Sequence, residues 1–233
     1  MVYTKIKMKC KIVTFSEIHE MVKNVAEQVK RSGFKPTTIV GLARGGSIPA
    51  RLMCDFLGIT DLISLKVEHW IETGKTKDEA TIKYPLKADL SEKKILVLDD
   101  ITDTGKSLVV STDYLAKMKP LAMKVATLQY MPESTFKPDY FAEEIKVWTW
   151  FIYPWNWIED TSTLIIRLMS AAKEREWKQS EIKKGLLDNF EIEWDSKMLE
   201  YILHVMGERN QVDVIGDRTG VTYKIKEEKV IKL

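Results

Sequence analysis

The chain has 233 residues, 45% hydrophobic and 30% charged, the balance of a globular protein and not of a disordered or fibrous one. With 36 basic against 34 acidic residues the net charge is only +2, so there is no global field to wrap nucleic acid or coat an anionic membrane, and any anion must be held by a local site. The two cysteines, Cys10 and Cys54, lie far apart and suggest neither a disulfide framework nor a zinc site. No run reaches the ~20 apolar residues of a bilayer span and no signal-peptide core opens the chain, so a cytoplasmic location without a membrane partner is expected.

Ile18, Met21, Val22, Val25 and Val29 recur at spacings of three and four, which predicts a helix over 15–31 with Ser16 as N-cap and Gly33 as stop. Residues 37–43 form a β-branched run that ends in Arg44-Gly45-Gly46 and passes into an apolar-periodic stretch over 48–57, reading as strand, glycine turn and helix. A strand over 62–67 precedes a polar stretch, 68–83, too long for an ordinary connection and expected to be a mobile functional loop. Residues 94–98 are almost continuously apolar, as in a strand buried on both faces, and end in Asp99-Asp100. A helix over 105–118 and strands over 123–130 and 146–151 follow. Strands alternating with helices imply an α/β fold with a central parallel sheet flanked by helices.

Beyond Pro154 the composition changes. Helical spacing runs over 161–177, 180–187 and 198–206, and 212–233 holds Gly216-Asp217 and Gly220 between β-prone runs that can make a hairpin. Two domains are expected, 1–160 and a mainly helical C-terminal extension over 161–233. Trp177, Ile182, Leu186 and Trp194 read as core, and His204 as a packed histidine.

The informative segment is 95–107, ILVLDDITDTGKS. At the carboxyl end of a parallel strand, Asp99 and Asp100 reach the crevice where open α/β sheets bind ligands, and two acceptors there suit vicinal sugar hydroxyls. In Asp103-Thr104-Gly105-Lys106-Ser107 the glycine lets the backbone curl so that successive N–H groups converge, the next helix adds its positive end, and the hydroxyls add donors. The result is a cup for a monophosphate. The Gly-Lys-Ser tripeptide looks like the end of a Walker A loop, but the earlier glycine of that loop is absent, which disfavours a nucleoside triphosphatase.

The hydrophobic strand, the two acids and the acid-threonine-glycine loop resemble the signature of the type I phosphoribosyltransferases, over residues 12–158. The resemblance implies that Asp99 and Asp100 bind the ribose hydroxyls of 5-phosphoribosyl-1-pyrophosphate (PRPP) and that Asp103, Thr104, Gly105, Lys106 and Ser107 bind its 5′-phosphate. It also implies that Arg44 and Gly45 face pyrophosphate after a non-proline cis peptide bond. Mg²⁺ is the implied cofactor, met by Asp99 and Asp100 directly or through water. Asp103 is the implied catalytic acid or base at the purine N7, 68–83 is the implied closing loop, and a homodimer is the implied assembly.

Residues 124–131, KVATLQYM, with the later KPDYFAEEI and WFIYPWN, look most like the 6-oxopurine branch, which includes xanthine-guanine enzymes. There Trp150 would stack on the base and Phe151 would meet its edge through backbone groups. That branch places a lysine, donor to the purine O6, where this chain has Met131; an oxo group left dry costs about 1–3 kcal/mol, whereas adenine loses nothing. Asn156 stands where relatives carry an acid, for which Glu159 or Asp160 could substitute.

The expected function is therefore adenine phosphoribosyltransferase, forming AMP and pyrophosphate. The alternatives are a 6-oxopurine acceptor (guanine, xanthine or hypoxanthine) and a nucleotide-sensing regulator whose tail reads nucleic acid. Residues 161–233 carry basic and acidic residues in equal number, against the basic face a DNA reader needs, so small molecules and no nucleic acid are the expected partners. The tail is expected to pack beside the base pocket or a dimer contact.

Overall fold

A computed structural model describes residues 7–72, 75–217 and 220–226. In chain order its elements are β1 (Cys10–Ile12), α1 (Phe15–Arg31), β2 (Thr38–Ala43), α2 (Ser47–Leu57), β3 (Leu62–Glu72), β4 (Lys75–Tyr84), β5 (Lys94–Thr102), α3 (Lys106–Ala116) and β6 (Ala122–Tyr130). The chain continues through β7 (Tyr140–Glu144), β8 (Trp150–Ile152), α4 (Trp157–Ser170), β9 (Trp177–Lys178), α5 (Gln179–Phe190), α6 (Ser196–Glu208), β10 (Val212–Asp217) and β11 (Gly220–Ile225). It divides into two compact units, one of Thr14–Ile71 with Thr76–Trp148, the other built chiefly from the segment up to Val13 and the chain from Thr149 onward.

The first unit is a six-stranded sheet in the order β4-β3-β2-β5-β6-β7, with β3, β2, β5, β6 and β7 mutually parallel. Ile39, Val40 and the run Ile95, Leu96, Val97 and Leu98 are fully buried, because a parallel sheet with helices on its faces exposes neither side. Helix α1 spans Phe15–Arg31, the range its apolar pattern predicts, but its cap differs. Thr14 is the cap, not Ser16: the Glu17 N–H donates to Thr14 Oγ1 at 3.2 Å and the Thr14 N–H donates to Glu17 Oε2 at 2.8 Å, a reciprocal box that satisfies two orphan donors.

Two sequence expectations change here. Residues 68–83 are not an irregular loop; they extend β3 and form β4, the edge of the sheet, with 73–74 outside the described residues. Polar residues suit an edge strand, which is protected by charge, and Lys83 Nζ meets Glu68 Oε1 at 2.7 Å. The strand expected over 146–151 is not continuous: residues 146–149 connect β7 to β8, which lie in different sheets. β7 lies earlier and ends in two acids, with Glu143 accepting from Gln129 Nε2 at 2.9 Å, so its charge hides it from pattern reading. β8 pairs with β1 in parallel, Cys10 opposite Trp150 and Ile12 opposite Ile152.

The second unit is mainly helical, with a small sheet in the order β10-β11-β9. The expected hairpin is β10 with β11, antiparallel from Val212 opposite Ile225 to Asp217 opposite Gly220. Trp177, Ile182, Leu186 and Trp194 enter one core with Leu164, Phe190, Leu199 and Ile202. The boundary read at 160/161 falls inside α4. His204 is not packed; it is on the exposed side of α6, 3.4 Å from Glu208. Among the described residues no helix is long and apolar enough to cross a membrane.

Both thiols are buried. Burial, with Asp160 adding to it, pushes the Cys10 thiol up to about 12, and burial also raises Cys54 against the opposing charge of Arg51. Since the thiolate is the reactive form, native protein at pH 8 is expected to show no fast reaction with a disulfide reagent and to titrate both thiols on unfolding. Rapid native reaction of either cysteine would contradict this.

Candidate active site

Strands β2 and β5 are neighbours, yet the chain leaves β2 for β3 on one side and β5 for β6 on the other. The crevice beyond their carboxyl ends is the topological switch point of the sheet, where the connecting loops part and a ligand can enter. The two loops that open there carry the residues singled out by the sequence.

After β2 the Ala43–Arg44 peptide bond is cis, and Gly46 caps α2 with its N–H donating to Leu42 O at 2.8 Å. The turn lies flat against β5. A Cβ on Gly45 would sit inside the Asp100 carboxylate, and one on Gly46 would meet Leu42 O at 2.8 Å and the Asp99 Cα at 2.9 Å. Only glycine permits this approach, so Arg44-Gly45-Gly46 and Asp99-Asp100 are brought into contact.

The acid pair is braced by its own backbone: the Asp100 N–H donates to Asp99 Oδ1 at 3.0 Å and the Ile101 N–H to Asp100 Oδ1 at 2.8 Å. Burial, then the neighbouring Asp100 charge, lifts the Asp99 carboxyl well above the usual carboxylate range, while backbone N–H groups of Asp100 and Gly46 oppose that rise. Burial also raises Asp103. Beyond β5 the chain turns through Asp103 and Thr104 to Gly105, which has φ +82° and is the N-cap of α3. Having no side chain, Gly105 cannot cap the helix itself, so the amide end of α3 faces the loop with its positive dipole.

The amino-acid chain matches the phosphoribosyl transferase domain family over residues 14–159. It belongs to that enzyme family. This phosphoribosyltransferase is 27% identical over 155 residues to the xanthine-guanine phosphoribosyltransferase of Gluconobacter oxydans, covering 66% of this chain and 86% of the relative. It is 31% identical over 121 residues to that of Cereibacter sphaeroides, covering 51% and 68%. Among solved structures, a purine phosphoribosyltransferase from Pyrococcus horikoshii Ot3 superposes with a TM-score of 0.55 at 30% identity, over 64% of this chain and 94% of that one.

Within the first unit of the phosphoribosyltransferase, Arg44, Gly45, Asp99, Asp100 and the loop from Asp103 to Ser107 sit at the same end of the sheet. Met131 joins them: it is buried, directly after β6, and its N–H donates to Thr102 O at 2.9 Å. Trp150 and Phe151 stand on β8 of the second unit, Trp150 half-buried and Phe151 buried near Tyr153, which stacks on Trp155 at 5.0 Å. Asn156 is the N-cap residue of α4 without a side-chain cap bond, and Asp160 is buried one turn on.

Sequence reasoning missed Ser134, Thr135 and Phe136. Ser134 and Phe136 fill the space beside Gly105, and Thr135 bonds to the Thr104 carbonyl. The available signal was the run of turn formers Pro132-Glu133-Ser134-Thr135 after a β-run, which marks a turn and says nothing of what it touches.

The adjacent carboxylates Asp99 and Asp100 are hard oxygen donors of the kind Mg²⁺ takes, and two acids held together inside a crevice are costly without a compensating cation. Among the described residues no group of three or more His, Cys, Asp or Glu side chains forms a cage. That donor set fits Mg²⁺, which keeps waters and substrate oxygens and needs only one or two protein carboxylates.

Proposed function

We propose that this chain transfers the 5-phosphoribosyl group of PRPP to a purine base, releasing pyrophosphate and forming a purine mononucleotide. The observation that carries the proposal is the contact of the Arg44-Gly45-Gly46 turn with the Asp99-Asp100 pair, beside a glycine-hinged loop that opens α3. Anion, diol and phosphate sites at one end of one sheet suit a phosphorylated, pyrophosphorylated pentose.

In the displacement, the bond between the ribose anomeric carbon and the pyrophosphate oxygen breaks and a bond to a purine nitrogen forms. Positive charge develops on the sugar ring, so the work of the protein is positioning and charge stabilisation. Asp99 and Asp100 accept hydrogen bonds from the two ribose hydroxyls, and Arg44 with the Gly45 backbone holds the departing pyrophosphate. The backbone of 103–107 grips the 5′-phosphate with the Thr104 and Ser107 hydroxyls and Lys106. Asp103 takes the proton lost by the purine at N7; its raised affinity for a proton suits a base. Mg²⁺, when bound by Asp99 and Asp100 directly or through water, supplies charge neutralisation of the pyrophosphate.

For the acceptor, the xanthine-guanine relatives support a 6-oxopurine, and this is the first reading; it displaces the adenine acceptor expected from the sequence. Adenine is the second reading, favoured by one residue: the buried thioether of Met131 offers no donor to an O6 oxygen. Competing adenine, guanine, xanthine and hypoxanthine for labelled PRPP separates the two, and no transfer to any purine would overturn the proposal. Under either reading Met131→Lys is expected to shift kcat/KM toward 6-oxopurines relative to adenine by about tenfold or more, from one added hydrogen bond to a charged donor. An unchanged ratio would remove Met131 from the readout.

The regulator reading draws on the two helices α5 and α6 followed by a hairpin. The exposed side of α6 carries Lys197, Glu200, Tyr201, His204 and Glu208, and acids there repel a phosphate backbone, which favours the enzyme. A homodimer is part of the proposal, and sedimentation at micromolar concentration reads it.

A further inference from the structure

The turn at 131–136 belongs to none of the motifs that build the donor site, yet it grips that site twice. The Met131 N–H donates to Thr102 O at 2.9 Å, and Thr135 donates to Thr104 O through both its N–H at 3.2 Å and its Oγ1 at 2.9 Å. Thr102 and Thr104 are the two chain neighbours of Asp103. The turn is closed by the Ser134 N–H to Met131 O at 3.0 Å and the Phe136 N–H to Ser134 Oγ at 3.2 Å. Its far side is pressed on the hinge of the loop, where a Cβ on Gly105 would lie 2.5 Å from Ser134 Oγ and 2.8 Å from the Phe136 Cβ. At the other end Thr102 is tied into the sheet, its Oγ1 bonded to Thr127 Oγ1 at 3.1 Å and the Thr127 hydroxyl donating to Gln129 O at 3.0 Å.

A carbonyl on each side of Asp103 is thus fixed, one by a buried strand end and one by an exposed threonine. Backbone amides can converge on a phosphate only if the carbonyls between them point away, and the Thr104 carbonyl is the one that must be held back as the chain turns into Gly105. We propose that Thr135 is a positioning residue, holding the Thr104 carbonyl so that the 103–107 loop keeps the curvature that receives the phosphate of a phosphorylated pentose. The inference rests on the functional reading given above and deepens it. Because Met131 and Thr135 share one short turn, a group bound against Met131 and a phosphate bound in the loop bias the same backbone, and any coupling between them is reciprocal.

The test uses the full chain with ribose 5-phosphate, which carries only the 5′-phosphate, and pyrophosphate, which carries only the leaving group. Thr135→Val keeps the N–H and the shape but loses the Oγ1 donor; Thr135→Ser keeps the donor. Removing one hydrogen bond of ordinary net worth is expected to raise the Kd for ribose 5-phosphate and the KM for PRPP by about threefold to tenfold. The Kd for pyrophosphate stays at the wild-type value, and Thr135→Ser lies within about twofold of wild type, as expected when the donor is retained. Thr135 is exposed, so the valine variant is expected to fold, and its melting temperature verifies this. Wild-type ribose 5-phosphate binding in Thr135→Val, an equal loss for pyrophosphate, or failure of the serine to restore binding each overturns the positioning role while leaving the enzyme reading intact. A wild-type chain that binds neither PRPP with magnesium nor ribose 5-phosphate overturns the enzyme reading and this inference with it.

Discussion

Gly105→Val is expected to weaken PRPP binding by about 100-fold or more, equivalent to about 2.7 kcal/mol, while leaving pyrophosphate binding at the Arg44 turn largely intact. Two independent effects add at this residue. Its φ of +82° is the left-handed region, which costs an L-residue roughly 1–2 kcal/mol and is worst for a β-branched side chain. The new Cβ would also collide with Ser134 Oγ and the Phe136 Cβ. The Phe136 backbone N, 2.8 Å from the new Cβ, belongs to the same turn as Thr135, so relieving the clash is expected to disturb the bond to the Thr104 carbonyl. The α3 amides are then no longer aimed at the phosphate. Calorimetry with magnesium and PRPP, run beside pyrophosphate alone, measures both quantities. A valine variant that binds PRPP within threefold of wild type would dismiss 103–107 as the phosphate loop.

Asp99→Asn is expected to do opposite things to stability and to activity. Because burial and Asp100 raise the Asp99 carboxyl well above its ordinary range, between the ordinary and the raised pKa the folded chain without metal binds more proton there than the unfolded chain. The stabilisation from that proton is complete below the ordinary carboxylate pKa and disappears as pH rises through the raised value. At neutral pH and above, the native acid pair is therefore a cost. Asparagine is neutral at every pH and its Oδ1 can still accept from the Asp100 N–H, so in EDTA the variant should melt higher than wild type at pH 8 and no higher at pH 3. The same change removes an acceptor and a negative charge from the sugar and magnesium site, so kcat/KM for PRPP should fall by at least ~100-fold if that interaction is worth the ~3 kcal/mol of a broken charged hydrogen bond. A variant that melts lower at pH 8 and turns over normally would refute both halves.

Where the sequence was legible, a residue type had only one physical use. The apolar run before Asp99-Asp100 could only be a strand covered on both faces, and Ile95 to Leu98 are buried completely. The glycines at 45, 46 and 105 announced turns, and the structure adds that each lies where a side chain would strike backbone or a neighbour. Legibility failed where polarity has two explanations. The charges of 68–83 fit a loop and an edge strand equally well, and only pairing with β3 decides. The acids of β7 concealed a strand whose partner, β6, supplies Gln129 to one of them. Thr135 was invisible because its role lies in a contact with Thr104, far away in the chain. Motif spacing reports neighbours along the chain, whereas a clasp of this kind exists only across space.

The pairing of β1 with β8 bears on how the protein must be made. On the ribosome, Thr14 to Trp148 can emerge and close into a sheet before synthesis ends. Residues 7–13 are translated before them, yet Cys10 has no ladder partner until Trp150 appears, and Met8 waits still longer to donate to the Asn189 carbonyl at 3.1 Å. Residues 7–13 thus have no ladder partner until the chain beyond Trp148 is present. Removing residues 7–13 would wound the helical core, into which Cys10 is packed, although that core is drawn almost wholly from residues after Trp148.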